Sequence, residues 1–138
     1  MTSVEIRTIS GNSLAVGSSG PRTVTIDRSK ESGGLGLGFN GGELLLLAIG
    51  GCYSNDIFRE AAKLNLSLKN VRVTVHADWA GEPVRAQNVR FDVSVEADAS
   101  EEKILELIRH TDRVAEIPNS LRIGTEVKLG GIEAIPSR

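Results

Sequence analysis

Only one cysteine stands in this chain of 138 residues, together with two histidines, one tryptophan, one tyrosine and three phenylalanines. A lone thiol cannot close a disulfide within the chain, so no cystine framework supports the fold. Two histidines and one cysteine, none at ligand spacing, exclude the usual Cys/His metal patterns, and no metal or cofactor is expected. The net charge is −2, and no cluster of Lys and Arg interleaves with aromatics. The electrostatic footprint of a nucleic-acid binder is therefore missing. The longest apolar run, Leu44–Ile49, is far shorter than the ~20 residues a membrane helix needs. Met1 leads into a strand pattern without signal-peptide character, and with the unpaired thiol this predicts a cytoplasmic protein with neither membrane nor nucleic acid as partner.

What remains is an ordinary globular composition, with 40% hydrophobic and 25% charged residues, and a length that suits one domain over residues 1–138. Alternation marks three short strands at Val4–Thr8, Leu14–Val16 and Val24–Ile26, with turns at Gly11-Asn12 and Gly17–Pro21. Arg22 and Arg28 share the parity of Val24 and Ile26, which predicts either guanidinium groups on the core side in need of partners or, because both stand at strand ends, side chains that reach out to water. A Gly/Ser-rich crossing from Ser29 to Gly42 follows and reads as a mobile loop. Within it Gly36-Leu37-Gly38-Phe39-Asn40-Gly41 matches the GxGxxG spacing. The match is rejected as a dinucleotide fingerprint, because the preceding strand ends too early and no βαβ alternation surrounds it.

Asn40 and Glu43 have capping-box spacing and open a helix that runs to about Leu64, with Asn65 as a left-handed stop. The first half of this helix is apolar on every side. So short a chain can hardly enclose it alone, and a homodimer is expected to wrap it. Two alternating segments, Val71–Ala77 and Val89–Ala97, predict an antiparallel pair joined through Trp79–Asn88. Ser100 caps a second helix with Ile104, Leu107, Ile108, Thr111 and Val114 on its inner face, stopped at Pro118. Leu121–Ile135 carries a last strand pattern.

Cys52 is the residue with chemistry to offer. Gly50 and Gly51 precede it at a cost of about 1 kcal/mol each in helix stability, which suggests a close backbone approach. His76 falls on the outward face of its strand and His110 outside the inner stripe of its helix, so both are expected in solvent and a Cys-His nucleophile is disfavoured. The surviving constellation is a thiol activated by an arginine, Arg28 or Arg22, with a carboxylate, Glu43, to orient it. Asp56, one turn after Cys52, opposes a thiolate unless Arg59 or a sheet arginine offsets it. A buried, inert cysteine is the competing reading.

The run Gly42-Glu43-Leu44-Leu45-Leu46-Leu47-Ala48-Ile49-Gly50-Gly51-Cys52, the following Lys63–Ala77 and the second helix leading into a strand resemble the OsmC/Ohr family, the osmotically inducible and organic hydroperoxide resistance proteins. The likeness spans nearly the whole chain. It implies an α+β, OsmC-like fold in which antiparallel sheets wrap two central helices in an intertwined homodimer, with the site at the dimer interface. In the peroxidases of that family a cysteine on the central helix attacks the hydroperoxide, and Cys52 matches it. A sheet arginine supports the thiolate, matched by Arg28 or, second, Arg22. The orienting carboxylate stands where this chain has Gly42, so Glu43 is either that carboxylate displaced by one position or only a cap. The family's second, resolving cysteine has no counterpart in Ala115–Ser120. The resemblance thus implies thiol-dependent hydroperoxide reduction in a stress response, with an external thiol as reductant. The alternative is a noncatalytic module that holds a small apolar or thiol ligand at the interface.

Overall fold

The computed structural model describes residues 1–137. Strands β1 (Glu5–Thr8), β2 (Ala15–Ser19) and β3 (Arg22–Ile26) form an antiparallel sheet in the order β1-β2-β3. Gly17 pairs with Ile6 on one side and Val24 on the other. The parity argument for inward arginines fails here, since Arg22 and Arg28 are both exposed. Arg22 opens β3 next to the turn and folds back onto the Ser19 carbonyl and hydroxyl, each at 3.4 Å. Arg28 lies beyond the end of β3, where the two-residue period no longer sets direction.

The crossing that follows is held in place, contrary to the mobile loop expected. Asp27 is buried, 2% exposed, and its carboxylate accepts from Ser13 Oγ (2.8 Å) and from the backbone N–H groups of Arg28 (2.8 Å), Leu35 (3.0 Å) and Leu37 (3.2 Å). Burial pushes the Asp27 carboxyl up, but these four donors outweigh it and hold the group below the ordinary carboxylate value. Gly34 and Gly38 belong to this packing, because a Cβ at either would overlap the main chain of Arg28 or Thr25. Their role is close approach of two backbone segments.

Helix α1 (Gly41–Lys63) starts with the capping box the sequence indicates: Asn40 Oδ1 accepts from Glu43 N at 2.8 Å, and Glu43 Oε1 accepts from Asn40 N at 2.9 Å. Asn65 supplies the left-handed stop at φ 55. Ile49, Gly50, Tyr53, Ile57 and Ala61 form its buried stripe. At Gly50 an added Cβ would sit 3.0 Å from a Val75 methyl, whereas at Gly51 nothing lies within 4 Å. Gly50 is thus the point where the helix approaches the sheet; Gly51 faces outward.

Strands β4 (Leu68–Ala80) and β5 (Arg85–Ala97) pair antiparallel with Val71 opposite Val95, Val73 opposite Val93 and Val75 opposite Phe91. They extend into the stretch expected to be connection, leaving a turn at 81–84. Helix α2 (Glu101–Val114) is capped by Ser100, whose hydroxyl accepts from Lys103 N at 3.3 Å. The core lies between α1, α2 and this second sheet and contains Tyr53, Ile57, Ala61, Leu107 and Ala115. Tyr53 hydroxyl donates to the Ile108 carbonyl at 2.8 Å and its ring meets Phe91 at 5.1 Å. Burial raises the Tyr53 phenol well above its ordinary value.

Two expectations for the C-terminal part are corrected. Pro118 does not stop α2; that helix ends at Val114, and Pro118 sits in the first turn of α3 (Glu116–Ile123), where a missing N–H forfeits no helical bond. Leu121–Ile135 forms no strand. Its first three residues belong to α3, and 124–137 has no regular structure, with Val127 93% and Leu129 86% exposed. A strand needs an edge to receive its N–H and C=O groups, and the protomer places none beside this segment.

Three α-helices and two antiparallel sheets make an α+β fold. No helix among the described residues is long and apolar enough to cross a membrane. The outward face of α1 has no cover among the described residues, with Leu47 52% and Phe58 50% exposed and Ala48 and Gly51 beside them. No helix packs across the first sheet, and β1 is exposed along its whole length.

Candidate active site around Cys52

Cys52 is half-buried on α1, at the boundary between the buried stripe and the open face. One helical turn onward, Asp56 Oδ2 lies 3.5 Å from its Sγ. The first turn of α3 closes over the sulfur from the other side: Ile117 N–H donates to Sγ at 3.5 Å, and Glu116 Oε2 is 3.8 Å away. The break at Ala115, a fully buried residue, produces this arrangement. A continuous α2 would carry 116 and 117 past the site, whereas a new helix start aims its unpaired N–H groups at the sulfur.

Arg59 ties the carboxylates together. Its Nη1 lies 3.2 Å from Asp56 Oδ1 and 2.8 Å from Glu116 Oε1, and its Nε 2.8 Å from Glu60 Oε2. Glu60, 3% exposed, also receives Lys63 Nζ at 3.0 Å and His110 Nε2 at 2.7 Å. An unbroken polar chain therefore runs from His110 through Glu60 and Arg59 to the two carboxyl groups beside the thiol. His110 keeps 41% of its side chain exposed, in line with the expected contact with solvent, while its Nε2 reaches buried Glu60. His76 is on the outward face as expected, and pairs there with Asp92 at 3.0 Å.

The electrostatics follow from these contacts. Burial pushes the Cys52 thiol up; the Ile117 N–H pulls the other way, but Asp56 and Glu116 add to the rise. Asp56 is raised by burial and by its hydrogen bond to Glu116. Glu116 is held at about 2, chiefly by that same hydrogen bond and by Arg59. Glu60 is held at about 2 by Arg59 first, then Lys63 and His110. Arg59 is raised further by Glu60 and Glu116. Its charge is thus committed to three carboxylates, and the guanidinium makes no hydrogen bond to the thiol among the described residues. Cys52, Asp56 and Glu116 place ligand atoms within 4.8 Å of one another, but Arg59 already occupies both carboxylates.

Of the residues singled out from sequence, neither Arg28 nor Arg22 makes a hydrogen bond or ion pair with Cys52 among the described residues. Glu43 is engaged in the capping box, nine positions and thus about 13 Å of helix rise from Cys52. Within one chain the structure brings none of the three to the thiol. Ile117, within the Ala115–Ser120 stretch that carries no second thiol, does arrive at Cys52. Sequence reasoning recognised Asp56 and Arg59, because positions four and three apart share a helix face. It missed Glu116, whose contact with Cys52 spans 64 positions and has no local signal.

Beside the site, a hollow of about 310 Å³ is lined by Leu45, Ile49, Val89, Phe91, Pro118 and Leu121, with Arg122. Ile49 stands one helical turn before Cys52 on α1, and Pro118 follows Ile117 on α3, while Cys52 itself is not among the lining residues.

The family model for OsmC-like protein matches residues 33–130. No curated protein matches the chain. Among solved structures, it is similar to an OsmC-like protein from Mycoplasma pneumoniae, with TM-score 0.76 and 16% identity over 88% of this chain and 87% of that one. It is also similar to an organic hydroperoxide resistance protein OsmC from Legionella pneumophila, with TM-score 0.61 and 18% identity over 88% and 89%. The organic hydroperoxide resistance protein OhrB of Bacillus subtilis gives TM-score 0.61 and 16% identity over 88% and 90%.

Proposed function

The chain belongs to the OsmC-like protein family, and from that membership we propose that it is a cysteine-based hydroperoxide reductase of the oxidative or osmotic stress response, working in the cytoplasm as a homodimer. The observation that carries this reading is the setting of Cys52. Its sulfur is half-buried, receives the Ile117 N–H at 3.5 Å and stands one helical turn from Ile49, which lines an apolar hollow suited to the alkyl part of an organic hydroperoxide. Sulfur attacks the terminal peroxide oxygen, the O–O bond breaks, and Cys52 becomes a sulfenic acid with release of the alcohol. No second cysteine exists to resolve it. An external thiol forms a mixed disulfide with Cys52, and a second thiol equivalent releases the free enzyme.

The protomer supplies no free cation to the thiol. Arg28, exposed at the end of a sheet that no helix of its own chain covers, is assigned to the Cys52 of a second copy, with Arg22 as the runner-up. Glu43 is assigned to capping. Leu47, Phe58 and the extended segment 124–137 are the surfaces the second copy covers. The competing reading, a noncatalytic module holding a small apolar or thiol ligand, is favoured by the raised Cys52 thiol.

Intact-mass measurement after brief exposure to cumene hydroperoxide with dimedone separates the two. A dimedone adduct on Cys52 in wild type, slowed in Arg28→Ala, is the expected result. An unmodified thiol overturns the peroxidase assignment. Slowing in Arg22→Ala but not Arg28→Ala means that Arg22 is the supporting arginine.

A further inference from the structure

The reaction assigned to Cys52 has a proton to move, and an arginine cannot move it. The thiol must lose a proton before sulfur attacks, and the departing alkoxide must gain one. Within hydrogen-bonding range of Sγ stand Asp56 Oδ2 at 3.5 Å and Glu116 Oε2 at 3.8 Å. Asp56 is 6% exposed, so the group is shielded from bulk water. Resting on the peroxidase reading above, we propose that Asp56 is a catalytic acid-base residue: it takes the proton of the Cys52 thiol and returns it to the leaving alkoxide, with Glu116 and Arg59 as positioning residues.

The balance closes on groups within the site. Thiol and hydroperoxide enter; the S–H proton passes to the Asp56 carboxylate, an S–O bond forms to the terminal oxygen, the O–O bond breaks, and the Asp56 proton goes to the alkoxide. Sulfur is oxidised by two electrons, the peroxide is reduced, and sulfenic acid and alcohol leave with Asp56 again ionised. The geometry suits both halves of the transfer. Burial of Asp56 and its hydrogen bond to Glu116 favour the protonated form that serves the alkoxide, while Arg59 Nη1 at 3.2 Å favours the anion that receives the thiol proton. The charged groups facing the pair are Arg59 and Glu60 on α1 and Glu116 on α3, with His110 of α2 reaching them through Glu60.

A carboxylate that merely repels the thiolate and one that carries the proton are separable, because alkylation needs only a thiolate and alkyl hydroperoxide reduction also needs a proton for the alkoxide. A peracid, whose leaving group is a stable carboxylate, needs none. In Asp56→Asn the iodoacetamide and peracetic acid reactions of Cys52 should accelerate a few-fold, while oxidation by cumene hydroperoxide falls by about a hundred-fold, the usual scale of general acid-base catalysis. Wild type alone provides a second measurement that requires no variant to fold. Its cumene hydroperoxide reaction should show a larger solvent isotope effect than its peracid reaction, because only the former transfers a proton to the leaving group. Equal acceleration of all three reactions in Asp56→Asn, or equal isotope effects in wild type, overturns the role of Asp56 and leaves the peroxidase reading standing. A wild-type Cys52 that alkylates but is not oxidised by cumene hydroperoxide overturns the peroxidase reading itself, and this inference with it.

Discussion

Replacing Leu47 by glutamate tests the assembly on which the proposed site depends. Leu47 is 52% exposed in the protomer, on the same outward face of α1 as Leu44, Ala48, Gly51, Phe58 and Ala62. Fully burying a leucine side chain contributes about 1.5–3 kcal/mol. The half already covered is therefore worth about 1 kcal/mol to the fold of one chain, and the open half about another 1 kcal/mol to whatever covers it. In a symmetric dimer the second contribution counts twice, so Leu47→Glu removes about 2 kcal/mol from association before any cost of bringing a carboxylate into the interface, itself several kcal/mol. The dissociation constant should rise by at least about thirty-fold. Sedimentation velocity over a dilution series, with circular dichroism to follow folding, reads this directly. Wild type should sediment at about twice the 14.7 kDa chain mass, and its melting temperature should depend on concentration. If association plays no part, the substitution costs only the concentration-independent 1 kcal/mol or so of the protomer. A wild-type chain that is folded and monomeric at micromolar concentration, or a Leu47→Glu dimer as tight as wild type, refutes the reasoning and removes the route by which Arg28 reaches Cys52.

Acid stability should report the network behind the site. Glu60 titrates at about 2 in the folded chain against an ordinary 4.5, so its contribution is complete above pH 4.5 and is lost as pH falls toward 2. Glu60→Gln should lower the urea midpoint at pH 7 and flatten its decline below pH 4.5; an acid limb as steep as that of wild type contradicts the assignment. The Ile117 N–H lies 3.5 Å from Cys52 Sγ, which brings the Ile117→Cys side chain within range of a disulfide if the two Cβ atoms come within about 4.5 Å. Peroxide treatment of Ile117→Cys should then give a product two mass units lighter that no longer accumulates as sulfinic acid. A sulfinic product from both proteins shows that a thiol at 117 cannot intercept the oxidised sulfur.

How much was legible in the sequence divides along the range of the interactions. The capping box of α1, its stop at Asn65, the antiparallel pairing of β4 and β5 with the inward alternation of Val71–Ala77 and Phe91–Ala97, and the Ser100 cap all came from the residues, because each rests on contacts within a few positions or on a strict period. The local field at Cys52 was legible for the same reason: Asp56 and Arg59 share its helix face.

Where the period ended, so did the reading. Arg22 and Arg28 stand at or past the end of a strand, and parity gave them the wrong direction. The buried Asp27 carboxylate holds a loop through donors as far apart as Ser13 and Leu37, and only the closed loop shows it. Residues 125–135 alternate like a strand yet stay irregular, since alternation specifies a face and cannot supply an edge. The break at Ala115 matters most. Sequence marked a helix end near Pro118, but the packing of Ala115 against α1 ends α2 earlier, restarts the chain as α3 and swings Glu116 and Ile117 onto a sulfur 64 and 65 positions away. The amino-acid sequence by itself determined most of the elements and the family and singled out Cys52, since propensity, periodicity and a fixed motif act locally. Only the tertiary structure decided what surrounds that residue, because the chain reversal that assembles those neighbours arises from burial of a core to which both helices contribute.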